Sequence, residues 1–104
     1  MNKDPEVALE VTKIFKLIKE ISPGKAVELR VPPYGAIQCG EGPSHRRGTP
    51  ANQVEMNEDT LIHLAINPES WAVLVGKGQV RASGLASDLS MLFTQVSTKY
   101  QAGI

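Results

Sequence analysis

A chain of 104 residues with eleven basic and eleven acidic side chains has room for one domain and carries no net charge. That balance speaks against nucleic acid or an anionic membrane as partner, because either rewards a basic surplus. With 41% hydrophobic and 21% charged residues the composition is globular rather than disordered, and residues 1–104 read as a single domain. The one cysteine, Cys39, forbids an internal disulfide and fits a reducing compartment. No apolar run approaches the ~20 residues that span a bilayer. Asn2, Lys3, Asp4 and Pro5 are unlike the basic start of a secretory leader, so a cytoplasmic protein is expected.

Asp4 followed by Pro5 and Glu6 marks a helix start: a capping acceptor, a proline in the first turn, then an acid near the positive end of the helix dipole. Val7, Val11, Ile14, Ile18 and Ile21 recur at helical spacing with Phe15 beside them, and Ser22-Pro23-Gly24 ends the helix. From Ala26 to Val31 the period changes to two, with Val27, Leu29 and Val31 alternating with Glu28 and Arg30, which predicts a half-buried strand. Pro32-Pro33-Tyr34-Gly35 turns the chain into a second strand carrying Ile37 and Cys39. Glu41 to Ala51 is rich in glycine, proline and polar residues and reads as a loop of unusual length, of the kind that leans towards function.

Gln53 to Met56 reads as a third strand, and Asn57 as the cap of a helix with Leu61, Leu64 and Ala65 inward. Asn67-Pro68 interrupts it. A short helix from Glu69 to Val75 then bears Trp71, Ala72 and Val75, and Gly76-Lys77-Gly78 leads to a strand from Gln79 to Ser83. After Gly84 a last helix carries Leu85, Leu89, Leu92, Phe93 and Val96, with a frayed tail from Tyr100. Strands grouped beside helices predict an α+β fold, mainly an antiparallel sheet with helices packed on one face.

The run from Val54 through Asn57-Glu58-Asp59 to Leu61, continued by Trp71 to Gly84 and the Leu89-Leu92-Phe93 helix, resembles the sterol carrier protein type 2 family. Val31-Pro32-Pro33-Tyr34-Gly35-Ala36-Ile37-Gln38-Cys39, Glu41-Gly42-Pro43 with His45, and Arg47-Gly48-Thr49-Pro50 narrow it further. They resemble the small stand-alone bacterial members of that family, found mainly in actinobacteria. The resemblance implies a sheet of five strands or so with helices around an apolar cavity. It also implies non-covalent binding and transport of a lipid or fatty-acyl ligand, with no cofactor, no catalysis and a ligand that need not be a sterol. Only four strands are legible in the sequence, and the Glu41 to Ala51 loop has no counterpart in the lipid-carrier pattern.

The resemblance turns Leu61, Leu64, Trp71, Val75, Leu89, Leu92, Phe93 and Val96 from ordinary core into candidate cavity residues. His45, Arg46 and Arg47 beside Gly48 are a candidate site for an anionic head, since guanidinium forks match carboxylate and phosphate. Other chemistry is thin. Gly42-Pro43-Ser44-His45-Arg46 misses the nucleophile-elbow pattern at its second glycine and lacks the strand-to-helix turn. Cys39 belongs on the apolar side of its strand, and Cys39, His45 and His63 lack metal-ligand spacing.

Size limits the cavity. An empty void of ~300 Å³ costs ~7 kcal/mol at ~24 cal/mol per Å³, against a total stability of ~5–15 kcal/mol. The ligand-free protein is therefore expected to hold a small or water-connected cavity. A ligand, a movement of the Leu85 to Val96 helix, or a second subunit in a homodimer would complete it. The alternative is an interaction module with a filled cavity that uses the 41–51 loop on a protein partner.

Overall fold

The computed structural model describes residues 4–42 and 52–103. The chain runs α1 (Pro5–Ile21), β1 (Val27–Val31), β2 (Gly35–Cys39), β3 (Asn52–Met56), α2 (Glu58–Ile66), a single 3₁₀ turn (Pro68–Ser70), α3 (Trp71–Gly76), β4 (Val80–Ser83) and α4 (Ser90–Gln101).

The local signals act as their chemistry requires. Asp4 accepts the Glu6 amide at 2.9 Å, and Asn57 accepts the Thr60 amide at 2.8 Å, each satisfying a donor that the helix itself leaves free. Val11, Ile14, Leu17 and Ile18 form the buried stripe of α1. Both ends of α1 are tied to the β1–β2 hairpin. The Tyr34 hydroxyl at the hairpin turn accepts the Asp4 amide at 3.1 Å, and the Gly40 amide donates to the Ser22 carbonyl at 2.9 Å. At that second tie the Gly24 backbone passes so close that a Cβ there would lie 1.9 Å from the Gly40 carbonyl oxygen.

The sheet has the order β2-β1-β3-β4 and is mixed. β1–β2 and β3–β4 are antiparallel, as expected, but β1 and β3 run parallel, with Val27 beside Asn52 and Leu29 beside Val54. The reason lies in connectivity. β2 returns to the end where β1 began, and β3 then starts from that same end on the other side of β1, so it must point the same way. Among the described residues the sheet has four strands, with no fifth in the first hairpin.

α1, α2 and α4 pack against one another and cover one face of the sheet. Val27, Leu29, Val31, Cys39, Val54, Met56 and Val80 point into this layer and are buried. Outward rows are polar apart from Ala36: Gln38–Glu28–Gln53–Ser83 and Ala36–Arg30–Glu55–Arg81, the latter with an Arg81–Glu55 ion pair at 3.4 Å.

Two helices depart from expectation. The last begins at Ser90 rather than Leu85, because Gly84 starts a turn in which Ser87 binds the Gly84 carbonyl through its hydroxyl, leaving Leu85 fully exposed. It also extends to Gln101 instead of fraying at Tyr100, whose hydroxyl donates to the Glu10 carboxylate across the α1–α4 interface. The Glu69 to Val75 segment divides into the 3₁₀ turn and α3.

Candidate functional site

The interior between sheet and helices is the place to which the candidate cavity residues lead. α2 delivers Leu61 and Leu64, both fully buried, as the cap at Asn57 and the inward stripe dictate. α3 delivers Trp71, and α4 delivers Phe93 and Val96, with Leu92 half-buried at the rim and Leu89 buried just before the helix begins. Trp71 and Phe93 stack with ring centroids 6.0 Å apart and planes inclined by 29°, a favourable aromatic separation. These seven residues belong to one apolar cluster.

Val75 does not join them. It is 39% exposed and lines an open cleft of about 510 Å³ on the outer face of the sheet, with Arg30, Gln53, Glu55 and Arg81. α3 has six residues, so one inward turn is all it offers. From Trp71 that turn is completed at i+3, by the buried Leu74, and not at i+4. Leu74 was not among the candidates, and helical spacing alone does not separate these two positions. Leu17, Met56 and Val80 likewise join the core without having been marked as candidates.

The interior is uncharged. Among the described residues the buried polar side chains are Asn52, Thr60, Ser87 and Ser97. Asn52 ties β3 to the segments before β1 and after β4: its Nδ2 donates to the Ala26 carbonyl and its Oδ1 accepts the Ala86 amide, each at 2.9 Å. Cys39 is fully buried at the end of β2, and burial pushes its thiol up to about 11. It is thus a neutral apolar group at pH 7, with little of the thiolate that nucleophilic attack requires.

His63 lies on the exposed side of α2, where its Nε2 meets the Ser70 hydroxyl at 3.1 Å. That pair lines a second open cleft, about 530 Å³, with Asn57, Asp59, Thr60 and Lys77. Among the described residues no three His, Cys, Asp or Glu side chains come together as a metal set. His45, Arg46 and Arg47, with Ser44, fall outside the described residues, as does most of the 41–51 loop.

A helical layer over one face of a mixed four-stranded sheet, around an apolar interior, defines the class: an α+β domain. The family model described as "Bacterial SCP ortholog" matches residues 4–94, and the chain belongs to that family. No curated protein matches the chain. Among solved structures it is similar to a UbiJ-SCP2 ubiquinone synthesis protein, with a TM-score of 0.53 at 14% identity over 97% of each chain. That likeness is one of fold. No helix among the described residues is long and apolar enough to cross a membrane.

Proposed function

We propose that this protein binds a lipid or acyl chain without chemical change, holding it between the sheet and the helical layer. The observation that carries the reading is the interior itself. Seven candidate residues from α2, α3, α4 and the turn before α4 converge on a layer with no buried charged side chain among the described residues. Such a layer offers an apolar chain its transfer energy of ~0.8 kcal/mol per buried CH₂. Membership of the bacterial SCP ortholog family supports the same reading.

The ligand has to open this interior. Leu61, Leu64, Phe93 and Val96 have no exposed surface, and Trp71 rests on Phe93. Binding therefore involves displacement of α4 or α3 from the sheet, at a cost of ~7 kcal/mol for ~300 Å³. About nine buried methylenes offset that cost. His45, Arg46 and Arg47 supply the head-group end of the reading, for a carboxylate or phosphate.

Native mass spectrometry of protein purified from a lipid-rich host, followed by titration with fluorescent fatty acids, tests this. An isoprenoid chain belongs in the panel because the structural neighbour is a ubiquinone synthesis protein. Co-purified lipid and saturable probe binding are expected, and Arg46→Ala with Arg47→Ala should weaken charged ligands while sparing neutral ones. Equal loss for both would remove the head-group assignment.

A second reading, an interaction module with a side-chain-filled interior, is favoured by the Trp71–Phe93 stack and the close packing around it. No bound lipid and no probe binding would decide for it.

A further inference from the structure

α3 and α4 both cover the interior, and they are fastened differently. α3 is held at both ends. Ser70, just before it, meets the His63 Nε2 of α2 at 3.1 Å, and only residues 77–79 separate its other end from Val80, which pairs with Met56 in the sheet. The Gln79 amide donates back to the Leu74 carbonyl at 3.0 Å, which leaves that connection no slack. α4 is tied to other helices at its C-terminal end alone. There the Tyr100 hydroxyl donates to the Glu10 carboxylate of α1, and the Gln101 Nε2 donates to the Ile66 carbonyl of α2 at 2.9 Å. The turn before α4 is pinned at Ala86 by Asn52. Among the described residues, no hydrogen bond joins residues 88–96 to another element. Leu89, Leu92, Phe93 and Val96 hold that stretch by apolar packing. Its first amide, of Ser90, is taken at 2.9 Å by the neighbouring Asp88. The Thr94 and Thr98 hydroxyls turn back to carbonyls one turn earlier, at 3.1 and 3.2 Å, an arrangement that slightly loosens a helix.

We propose that the ligand enters at the N-terminal end of α4, which swings outward about the clamp at Tyr100 and Gln101, and that its chain takes the place of Leu89, Leu92 and Phe93 against Trp71. The proposal rests on the lipid-binding reading and assigns the opening to one end of one helix. The reason is what an apolar chain can replace. Lifting the N-terminal half of α4 separates apolar side chains, and entering methylenes restore those contacts. Lifting the C-terminal end breaks the bonds to Glu10 and Ile66, which a methylene chain cannot remake. Lifting α3 breaks the His63–Ser70 bond and pulls on β4 through its short connection.

Hydrogen exchange of the ligand-free protein, read by NMR, tests the motion without any ligand. Amides of residues 94–96 should exchange about threefold or more faster than those of residues 98–100. Tyr100→Phe, which removes the bond to Glu10, should raise exchange at 98–100 by about threefold and leave 94–96 unchanged. Equal exchange along α4, or faster exchange at 98–100 in the parent protein, would overturn the proposal. Entry is read with a spin label. Cys39 is buried, so the label goes to Met91→Cys or Thr98→Cys, both at exposed positions. Saturating palmitic acid should loosen the label at position 91 and leave that at 98 unchanged; the reverse would place the opening at the wrong end. Palmitic acid bound, by competition with a fluorescent fatty acid, with neither label affected would overturn the entry route and spare the lipid reading. No binding, with the exchange difference present, would remove the lipid reading and the entry route together and leave the helix motion.

Discussion

Phe93 has no exposed surface and stacks on Trp71, so its ring helps to keep the interior shut. Phe93→Ala should cost about 3–5 kcal/mol, a large share of the ~5–15 kcal/mol available to a domain. Phe93→Leu, the milder change, should cost about 1–2 kcal/mol. The effect on ligand binding has the opposite sign. If an acyl chain must open a packed interior, a void of ~100 Å³ left by the truncation already carries ~2.4 kcal/mol of the opening cost. Part of that returns as affinity, up to roughly tenfold. Urea denaturation of each variant gives the stability, and titration with a fluorescent fatty acid gives the affinity under conditions where the variant is folded. Lower stability with tighter binding is the expected pair. Stability and affinity falling together for both variants would refute the idea that ligand and side chains compete for one volume.

Asn52→Ala should cost about 2–4 kcal/mol, since the buried Ala26 carbonyl loses its donor and the Ala86 amide its acceptor. A loss below ~1 kcal/mol by urea titration would show that water replaces both bonds. Gly24→Ala should destabilise by ~3 kcal/mol or more, because φ is +141° and the new Cβ meets backbone at Gly40 rather than a side chain that can move; an unchanged thermal midpoint would contradict that close approach. Stability should also fall at alkaline pH. Burial raises the Cys39 thiol from 9.0 to about 11, while burial and then the Glu10 carboxylate raise the Tyr100 hydroxyl from 10.0 to about 12. Both shifts favour the protonated form in the folded state, so their contribution is full below pH 9 and drains as pH rises through 11 and 12. Urea midpoints measured across that range should decline, and Cys39→Ala should remove the lower part of the decline; identical profiles for the variant and the parent protein would show that Cys39 has no part in it.

The elements that depend on near neighbours in the chain were legible. Asp4-Pro5-Glu6 and Asn57-Glu58-Asp59 announce helices because a cap and its target amide lie within three residues. The β1–β2 hairpin follows from alternation on either side of a short turn. The candidate site was legible to the same depth: inward positions on α2 and α4 follow from long helical stripes, whereas α3 is too short for periodicity to separate Leu74 from Val75. Leu85 continues the α4 pattern, yet the Gly84 turn takes it out to solvent.

By itself the sequence determined what each segment is and which of its faces is apolar, because caps, turns and periodicity are local effects of neighbouring residues. Only the tertiary structure decided where the segments go: β3 beside β1 and parallel to it, and Asn52 clasping Ala26 and Ala86. Those outcomes depend on groups 26 to 34 residues apart competing for the same partners, a contest that no local pattern records.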